Sequence, residues 1–277
     1  MSDNAATAQA GASGSSFYFA MLLLPKVQRE AMFAIYKFCR MVDDVADDGT
    51  RPRAARAHEL EAWRADLQAL YAGRDGGRAE FLKGIVQRFG LDQSDFLAVI
   101  DGMDMDVAAD IRAPDLATLS VYCDRVASAV GRLSTRVFGM EEEHGRQLAQ
   151  SLGHALQLTN ILRDLDEDAA IGRLYVPREL LAEVGIGTTD PVVAISDPRI
   201  DGACRALAAL AMDHFEAANR LLRRKSPGYL LPPRLMTAVY SAILKDMLVA
   251  GWQPPRRRIR IRKRRLLWLV ARCCVVG

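Results

Sequence analysis

Apolar residues recur every three or four positions along most of this chain, with charged residues in the positions between them. This spacing collects apolar side chains on one face of an α-helix, as at Met32, Ile35 and Cys39. Glycine and proline fall between such stretches, which predicts about eight or nine helices joined by loops. The alternation typical of strands is weak and confined to residues 174–176 and 259–262. The pattern therefore predicts an all-α fold.

The composition is that of a globular protein. Of the 277 residues, 50% are hydrophobic and 26% are charged, which excludes a disordered or fibrous chain. No uncharged apolar run reaches the roughly 18 residues that span a bilayer. Residues 1–16 are small and polar, without the basic start and apolar centre of a secretory signal, so we expect a cytoplasmic protein. The five cysteines are odd in number and scattered, which favours reduced thiols.

Changes of composition along the chain predict three regions. We expect a disordered N-terminus over residues 1–14, one helical domain over 15–252 and a basic and apolar tail over 253–277. In the tail, nine of the 17 residues from Arg256 to Arg272 are Lys or Arg, and Leu-Leu-Trp-Leu-Val lies among them. Such a segment is either a solvated tail or a contact with the inner face of an anionic membrane. Nucleic acid is disfavoured, because aromatic interleaving and a recognition helix are missing.

The first segment that contains candidate functional residues lies at the end of a predicted helix. At 100° per residue, Tyr36, Arg40, Asp43 and Asp47 fall within an arc of about 60° on one helix face. Like charges four residues apart destabilise a helix by a few tenths of a kcal/mol, and acidic residues at its C-terminus oppose the helix dipole. This cost indicates a function for the carboxylates.

The second segment repeats the carboxylate spacing more than a hundred residues later. Gln157, Asn160, Asp164 and Asp168 lie within about 80° of arc, bordered by apolar residues. Alone, either segment fits a solvated acidic helix end. Together they favour a site for a hard cation, because Mg²⁺ takes one or two carboxylates and completes its shell with water and phosphate oxygens.

Two such segments facing each other across a bundle predict two to three Mg²⁺ ions and a diphosphate between them. The expected metal ligands are Asp43, Asp47, Asn160, Asp164 and Asp168. We expect nearby arginines to bind phosphate oxygens, namely Arg40, Arg163 and Arg173. Phenols that could point at the phosphate or a cation, or simply lie in the core, are Tyr36, Tyr175 and Tyr240. Apolar walls for a substrate chain are expected at Phe17, Tyr122, Ala129 and Leu133.

A third acidic cluster is interpreted as structural. It comprises Asp101, Asp104, Asp106 and Asp110 and has no neighbouring Asn or Gln partners.

These segments resemble the squalene and phytoene synthase family over roughly residues 15–252. The family's first signature is similar to Ser16-Phe17-Tyr18 followed by Arg40 and the paired aspartates from Asp43 to Asp47. Its second signature is similar to the run from Gln157 to Asp168 that ends in Gly172-Arg173-Leu-Tyr175. The segment around Tyr122 resembles the family's tyrosine helix, whose small residues let a lipid chain pass close to the backbone.

The resemblance implies a single helical bundle of the isoprenoid-synthase type with a central cavity, and a Mg²⁺-dependent prenyltransferase. Its catalytic residues would be Asp43, Asp47, Asp164, Asp168 and Tyr122. Its substrate-binding residues would be Ser16, Phe17, Tyr36, Arg40, Gln157, Asn160, Arg163, Arg173, Tyr175 and Tyr240.

Within the family, residues 24–48, 100–106 and 254–258 look most like the branch of bacterial hopanoid biosynthesis. That likeness implies the head-to-head condensation of two farnesyl diphosphates to presqualene diphosphate, without NADPH. The downstream hopanoid enzymes are then possible partners. Alternatives on the same fold are the formation of squalene, hydroxysqualene, dehydrosqualene or phytoene, or a non-catalytic role in lipid binding or assembly.

Overall fold

The computed structural model describes residues 20–224 and 226–276 and confirms the all-α expectation. Three quarters of the described residues are helical, and they form no strand beyond an isolated bridge between Arg112 and Leu174. The α-helices are α1 Lys26–Asp47, α2 Arg53–Tyr71, α3 Lys83–Phe89, α4 Gln93–Ala108, α5 Leu116–Cys123, α6 Ala129–Val137, α7 Glu142–Arg163, α8 Leu165–Ala170, α9 Arg178–Glu183, α10 Pro191–Ser196, α11 Ile200–Leu222, α12 Leu231–Ala250 and α13 Lys263–Val276. A 3₁₀-helix at Gly77–Leu82 precedes α3, and a π-helix at Asp124–Ser128 joins α5 to α6.

The described helices outnumber the eight or nine that the periodicity predicts. The long ones, such as α1, α7 and α11, coincide with the apolar repeats found in the sequence. The additional ones have six to nine residues, as in α8 and α10. Two turns of helix are too short to show a clear period, so the hydrophobic pattern cannot reveal them.

The hydrophobic core is continuous across the bundle, with α7 near its centre. This helix packs against α6, α11 and α12, and eleven of its 22 residues are buried. On the other side, Phe38 of α1 meets Trp63 of α2 and Phe96 of α4 edge to face, with centroid distances of 5.7 and 5.1 Å. Each such pair adds about 0.5–1.5 kcal/mol beyond the burial of its area. The aromatic cluster therefore fixes the helix that carries the first acidic segment.

Small residues bring α7 and the π-helix into close contact. A Cβ atom on Gly153 would lie 2.7 Å from the backbone of Ser128. Any larger side chain at this point would push the two helices apart, because both partners are backbone atoms within a packed core.

The chain after α12 folds back onto the bundle. Gly251 ends α12 with a φ of 75°, a left-handed conformation that suits glycine. Trp252 follows and is buried. Further on, α13 packs along α12 with Leu269 buried, and Arg265 pairs with Asp246 at 2.5 Å. No helix in the described ranges combines the length and apolarity needed to cross a bilayer.

Candidate active site

The first acidic segment occupies the last three turns of α1. Arg40 donates from Nη1 to Asp43 Oδ2 at 2.6 Å and from Nη2 to Asp44 Oδ1 at 2.7 Å. Buried Val42, Val45 and Ala46 anchor this end of the helix in the core. The Asp43 side chain is half-buried at this end of the helix, whereas those of Asp44 and Asp47 are more than half exposed.

The second acidic segment spans a break between α7 and α8. α7 ends at Arg163, Asp164 leaves helical geometry with φ −104° and ψ 18°, and α8 begins at Leu165. Asp164 and Asp168 remain one turn apart, because the backbone N–H of Asp168 donates to the carbonyl of Asp164 at 2.8 Å. Arg163 holds Asp164 through two hydrogen bonds of 2.8 and 2.6 Å.

The two segments converge on Arg173 and Asp106. Arg173 donates from Nη1 to Asp47 Oδ1 at 2.9 Å, and its Nε lies 3.9 Å from Asp106 Oδ1. The backbone N–H of Arg173 donates to the Asp168 carbonyl at 2.9 Å, which ties the same arginine to the second segment. The predicted juxtaposition of the acidic stripes is therefore present.

Asp106 differs in its contacts from the other members of the third acidic cluster. Its Oδ2 accepts from the Tyr122 hydroxyl at 3.0 Å and its Oδ1 from the Tyr175 hydroxyl at 2.7 Å, and all three side chains are buried. The rings of Tyr122 and Tyr175 stack with centroids 5.0 Å apart. The other members of that cluster do form structural ion pairs, Asp101 and Asp104 with Arg64 and Asp110 with Arg53.

The sequence alone could have distinguished Asp106 from its neighbours only weakly. Asp106 shares its helix face with apolar Met103 and Gly102, whereas Asp101 and Asp104 lie toward solvent. An aspartate on the buried face of a helix indicates a specific partner, because a lone buried charge is costly.

Burial and mutual repulsion raise the pKa values of carboxyl groups in the site. Burial, followed by the charge of Asp47, raises the pKa of Asp43 to about 6. Burial, followed by the charge of Asp164, raises the pKa of Asp168 to about 7. Burial also raises the pKa of Tyr122 well above its usual value, with Asp106 adding to the effect. The phenol therefore stays protonated at neutral pH and donates a hydrogen bond to Asp106.

The donor set fits a hard divalent cation. The side-chain oxygen of Asn160 is buried and accepts no hydrogen bond from any described residue. An orphaned amide oxygen beside two crowded carboxylates, Asp164 and Asp168, is what a bound cation would satisfy. Across the described ranges, no three carboxylate, imidazole or thiol side chains converge closely enough to hold a metal by themselves. The remaining oxygens would come from water and phosphate, as Mg²⁺ sites require.

The remaining predicted polar residues surround this centre. Gln157 accepts from the Asn160 amide at 3.5 Å, and Tyr240 lies against the guanidinium of Arg163. Tyr36 is half-buried beside Arg40 and Asp43. Ser16 and Phe17 lie outside the described residues.

Two arginines of the basic tail reach the second acidic segment. Arg258 places Nη2 2.7 Å from Asp164 Oδ1 and Nε 3.4 Å from Glu167 Oε1. Arg256 donates from Nε to both oxygens of Asp166 at 3.0 and 3.1 Å. A run of arginines gives no indication of which members are buried, so these contacts could not be found from sequence.

An apolar cavity of about 100 Å³ lies alongside the acidic centre. Leu156 and Leu152, one and two turns before Asn160 on α7, contribute to its wall. The other side chains that line it include Met21, Leu24, Met32, Ala127, Val130, Ser134, Phe138, Pro233 and Met236.

The expected cavity walls at Ala129 and Leu133 were wrong. Both are buried in the core, and the cavity is lined instead by Val130 and Ser134, one position further along. The π-helix at Asp124–Ser128 directly precedes these residues, and a π turn carries one residue more than an α turn, so the helical periodicity of the sequence cannot be extended across it. Tyr122 joins the polar network of Asp106 rather than the cavity wall.

Comparison with known sequences agrees with this geometry. The sequence model of the squalene/phytoene synthase family matches residues 10–265. The chain belongs to the squalene/phytoene synthase family. Members of this family are prenyltransferases, and the bundle with its paired acidic segments is that of an isoprenoid synthase.

Relatives within the squalene/phytoene synthase family include bacterial proteins named presqualene diphosphate synthase. One from Zymomonas mobilis is 54% identical and aligns over 96% of this chain and 91% of its own length. One from Rhodopseudomonas palustris is 52% identical over 92% of this chain and 91% of its own length. A 15-cis-phytoene synthase from Synechococcus elongatus is more distant, at 35% identity over 83% of this chain and 78% of its own.

A solved family structure has the same fold. The squalene synthase HpnC from Alicyclobacillus acidocaldarius superposes with a TM-score of 0.77 at 26% identity, covering 91% of this chain and 95% of that chain.

Proposed function

We propose that this chain condenses two farnesyl diphosphates head to head into presqualene diphosphate and releases one diphosphate. The observation that carries the proposal is the convergence of two acidic segments on Arg173 and Asp106 beside an apolar cavity. The names of relatives that are more than 50% identical over nine tenths of the chain support the choice of product.

The oxygen donors of both segments would hold two to three Mg²⁺ ions, through Asp43 and Asp47 on one side and Asn160, Asp164 and Asp168 on the other. When bound, the ions supply Lewis acidity that neutralises the charge of the departing diphosphate. Burial, and then the charges of Asp47 and Asp164, raise the pKa values of Asp43 and Asp168. These carboxylates are therefore kept close together although their repulsion opposes folding.

The arginines that now pair with these carboxylates are placed to bind phosphate oxygens. Arg40, Arg163 and Arg173 each contact an aspartate of the site at 2.6 to 2.9 Å. When a diphosphate enters, each guanidinium can turn from the carboxylate to the phosphate, because it binds both groups through the same planar donors. The charge of the substrate is then met by groups that are already in place.

Tyr122 and Tyr175 present protonated phenols beside the reacting carbons. Their hydroxyls donate to Asp106 and their stacked rings are buried, so the assembly is rigid. Aromatic faces stabilise a nearby carbocation through their quadrupole. The same burial excludes water, which would otherwise capture the cation.

The apolar cavity provides the place for the isoprenoid chains. Each methylene that it buries contributes about 0.8 kcal/mol to binding. Its volume of about 100 Å³ is smaller than that of an ordinary ligand pocket, so the chains must displace its walls. Met32 and Met236 line it and can adjust most readily, because methionine has three rotatable bonds.

The product is tested by incubating purified protein with farnesyl diphosphate and Mg²⁺ in the absence of reduced nucleotide. We expect presqualene diphosphate, identified by mass, and one equivalent of released diphosphate. Squalene as the sole product, or no turnover, would refute the assignment. Turnover with geranylgeranyl diphosphate alone would favour phytoene formation.

We further propose that the protein works in the cytoplasm against an anionic membrane surface, and that enzymes of hopanoid synthesis take up its product. The outward face of α13 supports the membrane contact, because it exposes Leu267 and Trp268 beside Arg264 and Arg272. Arg272 also lies 5.4 Å from the Trp268 ring. Trp and Leu flanked by arginines suit a membrane interface.

Co-sedimentation with phosphatidylglycerol vesicles tests the contact. Trp268→Ser should lower the bound fraction, whereas Val249→Ser, which removes an exposed apolar side chain from α12, should leave it unchanged. Equal binding of the wild type to neutral phosphatidylcholine vesicles, or equal loss in both variants, would contradict the proposal.

A further inference from the structure

The break between α7 and α8 determines where the side chains of Asp164 and Asp168 point. A segment near the C-terminal end of the chain bonds to the backbone at this break. Carbonyls in the last turn of a helix lack intrahelical partners. At this break, the indole N–H of Trp252 donates to the Leu162 carbonyl at 2.8 Å. Trp252 is only 2% exposed, so the bond is shielded from water.

Trp252 is itself fixed from two directions. Its backbone N–H donates to Asp201 Oδ1 of α11 at 2.7 Å. Its carbonyl accepts from Arg256 Nη1 at 2.6 Å. The indole therefore has a defined position relative to α11 before it meets α7.

Arg256 holds α8 from the side that faces away from the proposed metal ligands. Its guanidinium donates to Asp166, to the Trp252 carbonyl and to the Ile195 carbonyl at 2.6 Å, and its side chain is only 10% exposed. Asp166 lies two residues from both Asp164 and Asp168, roughly 200° around the helix from each. The hydrogen bonds of the Arg256 guanidinium go to Asp166 and to two backbone carbonyls, and not to either of those carboxylates.

We propose that Trp252 and Arg256 are positioning residues that set the direction of Asp164 and Asp168 by fixing the α7–α8 break. The inference rests on the proposed function, because it assumes that these aspartates bind divalent cations. It assigns a role to two residues that touch neither substrate nor metal. A misplacement of ligands by removal of a supporting hydrogen bond weakens metal affinity by about 10- to 100-fold.

The test measures binding of Mn²⁺ in the presence of inorganic diphosphate by electron paramagnetic resonance, which requires no turnover. We expect Trp252→Phe, which keeps the ring and removes the donor, to raise the dissociation constant of Mn²⁺ about tenfold. Asp166→Asn should do the same, and this half-exposed position carries little risk to folding. Arg178→Lys, which alters an exposed ion pair with Asp115, is the matched control and should bind as the wild type does.

A double variant separates positioning from a general loss of stability. If Arg256 acts through Asp166, Asp166→Asn combined with Arg256→Lys should weaken Mn²⁺ binding no more than Arg256→Lys alone. Unchanged Mn²⁺ affinity in Trp252→Phe and Asp166→Asn, with a normal wild type, would overturn the positioning role and leave the proposed function intact. Absence of Mn²⁺ binding by the wild type would overturn both.

Discussion

The guanidinium of Arg173 bonds to the carboxylate of Asp47 at 2.9 Å, although 126 residues separate them along the chain. This contact joins the ends of the two acidic segments. The site that the two segments share therefore forms only when the chain has folded and brought them together.

Replacing one proposed ligand in each segment should abolish activity without harming the fold. We expect Asp43→Asn and Asp164→Asn to lower turnover by orders of magnitude, because each removes a charged donor from the diphosphate site. Thermal stability should stay equal or rise in Asp43→Asn, because the change relieves repulsion with Asp47. In Asp164→Asn the same relief is offset by the loss of the charge that pairs with Arg163 and Arg258. Steady-state kinetics and calorimetry measure both effects. Asp104→Asn serves as the control, and full activity in either ligand variant would discard the metal assignment.

Asp106→Asn should lower activity by about 10- to 100-fold, as expected for loss of a group that orients its neighbours. The amide leaves only one oxygen for the phenols of Tyr122 and Tyr175 and removes the negative charge beside Arg173. Kinetics at saturating Mg²⁺ provide the measurement. Activity equal to that of Asp104→Asn would show that Asp106 has a structural role only.

The stability of the metal-free protein should fall as the pH rises. The pKa values of Asp43, about 6, and Asp168, about 7, lie above the usual 3.8, so both bind protons more tightly when folded. Their stabilising contribution is complete below about pH 4 and is lost as the pH passes through 6 and 7.

Divalent cations bind the ionised carboxylates, so Mg²⁺ with inorganic diphosphate should raise the melting temperature more at about pH 8 than at about pH 5.5. Differential scanning fluorimetry across this range tests both parts. A shift that does not depend on pH would contradict the assignment of these two carboxylates as ligands.

Gly153→Ala should destabilise the protein by about 1–3 kcal/mol, because the new methyl group would lie 2.7 Å from the Ser128 backbone. Gly84→Ala is the matched control within α3, where the methyl group meets no atom within 4 Å. That variant should gain up to about 1 kcal/mol from helix propensity. Urea unfolding of both variants decides the point, and equal stabilities would show that α7 and the π-helix can separate without cost.

The sequence predicts the helical class and the acidic segments because both depend on local periodicity. The four-residue spacing of Asp43 and Asp47 survives into the structure, since α1 is regular there. The lining of the cavity by Val130 rather than Ala129 could not be predicted, because several apolar faces meet in the core and the residue types do not show which of them borders a gap. The contacts of Arg256 with Asp166 depend on how the chain returns after α12, which no local pattern encodes.

Three aspartates of the site, Asp43, Asp47 and Asp164, pair with Arg40, Arg173 and Arg163 inside the protein. A divalent cation alone would have to compete with these guanidinium groups, whereas a cation accompanied by a phosphate would offer each arginine another anion. The ion pairs of the site therefore favour joint binding of a cation and a diphosphate over binding of the cation by itself.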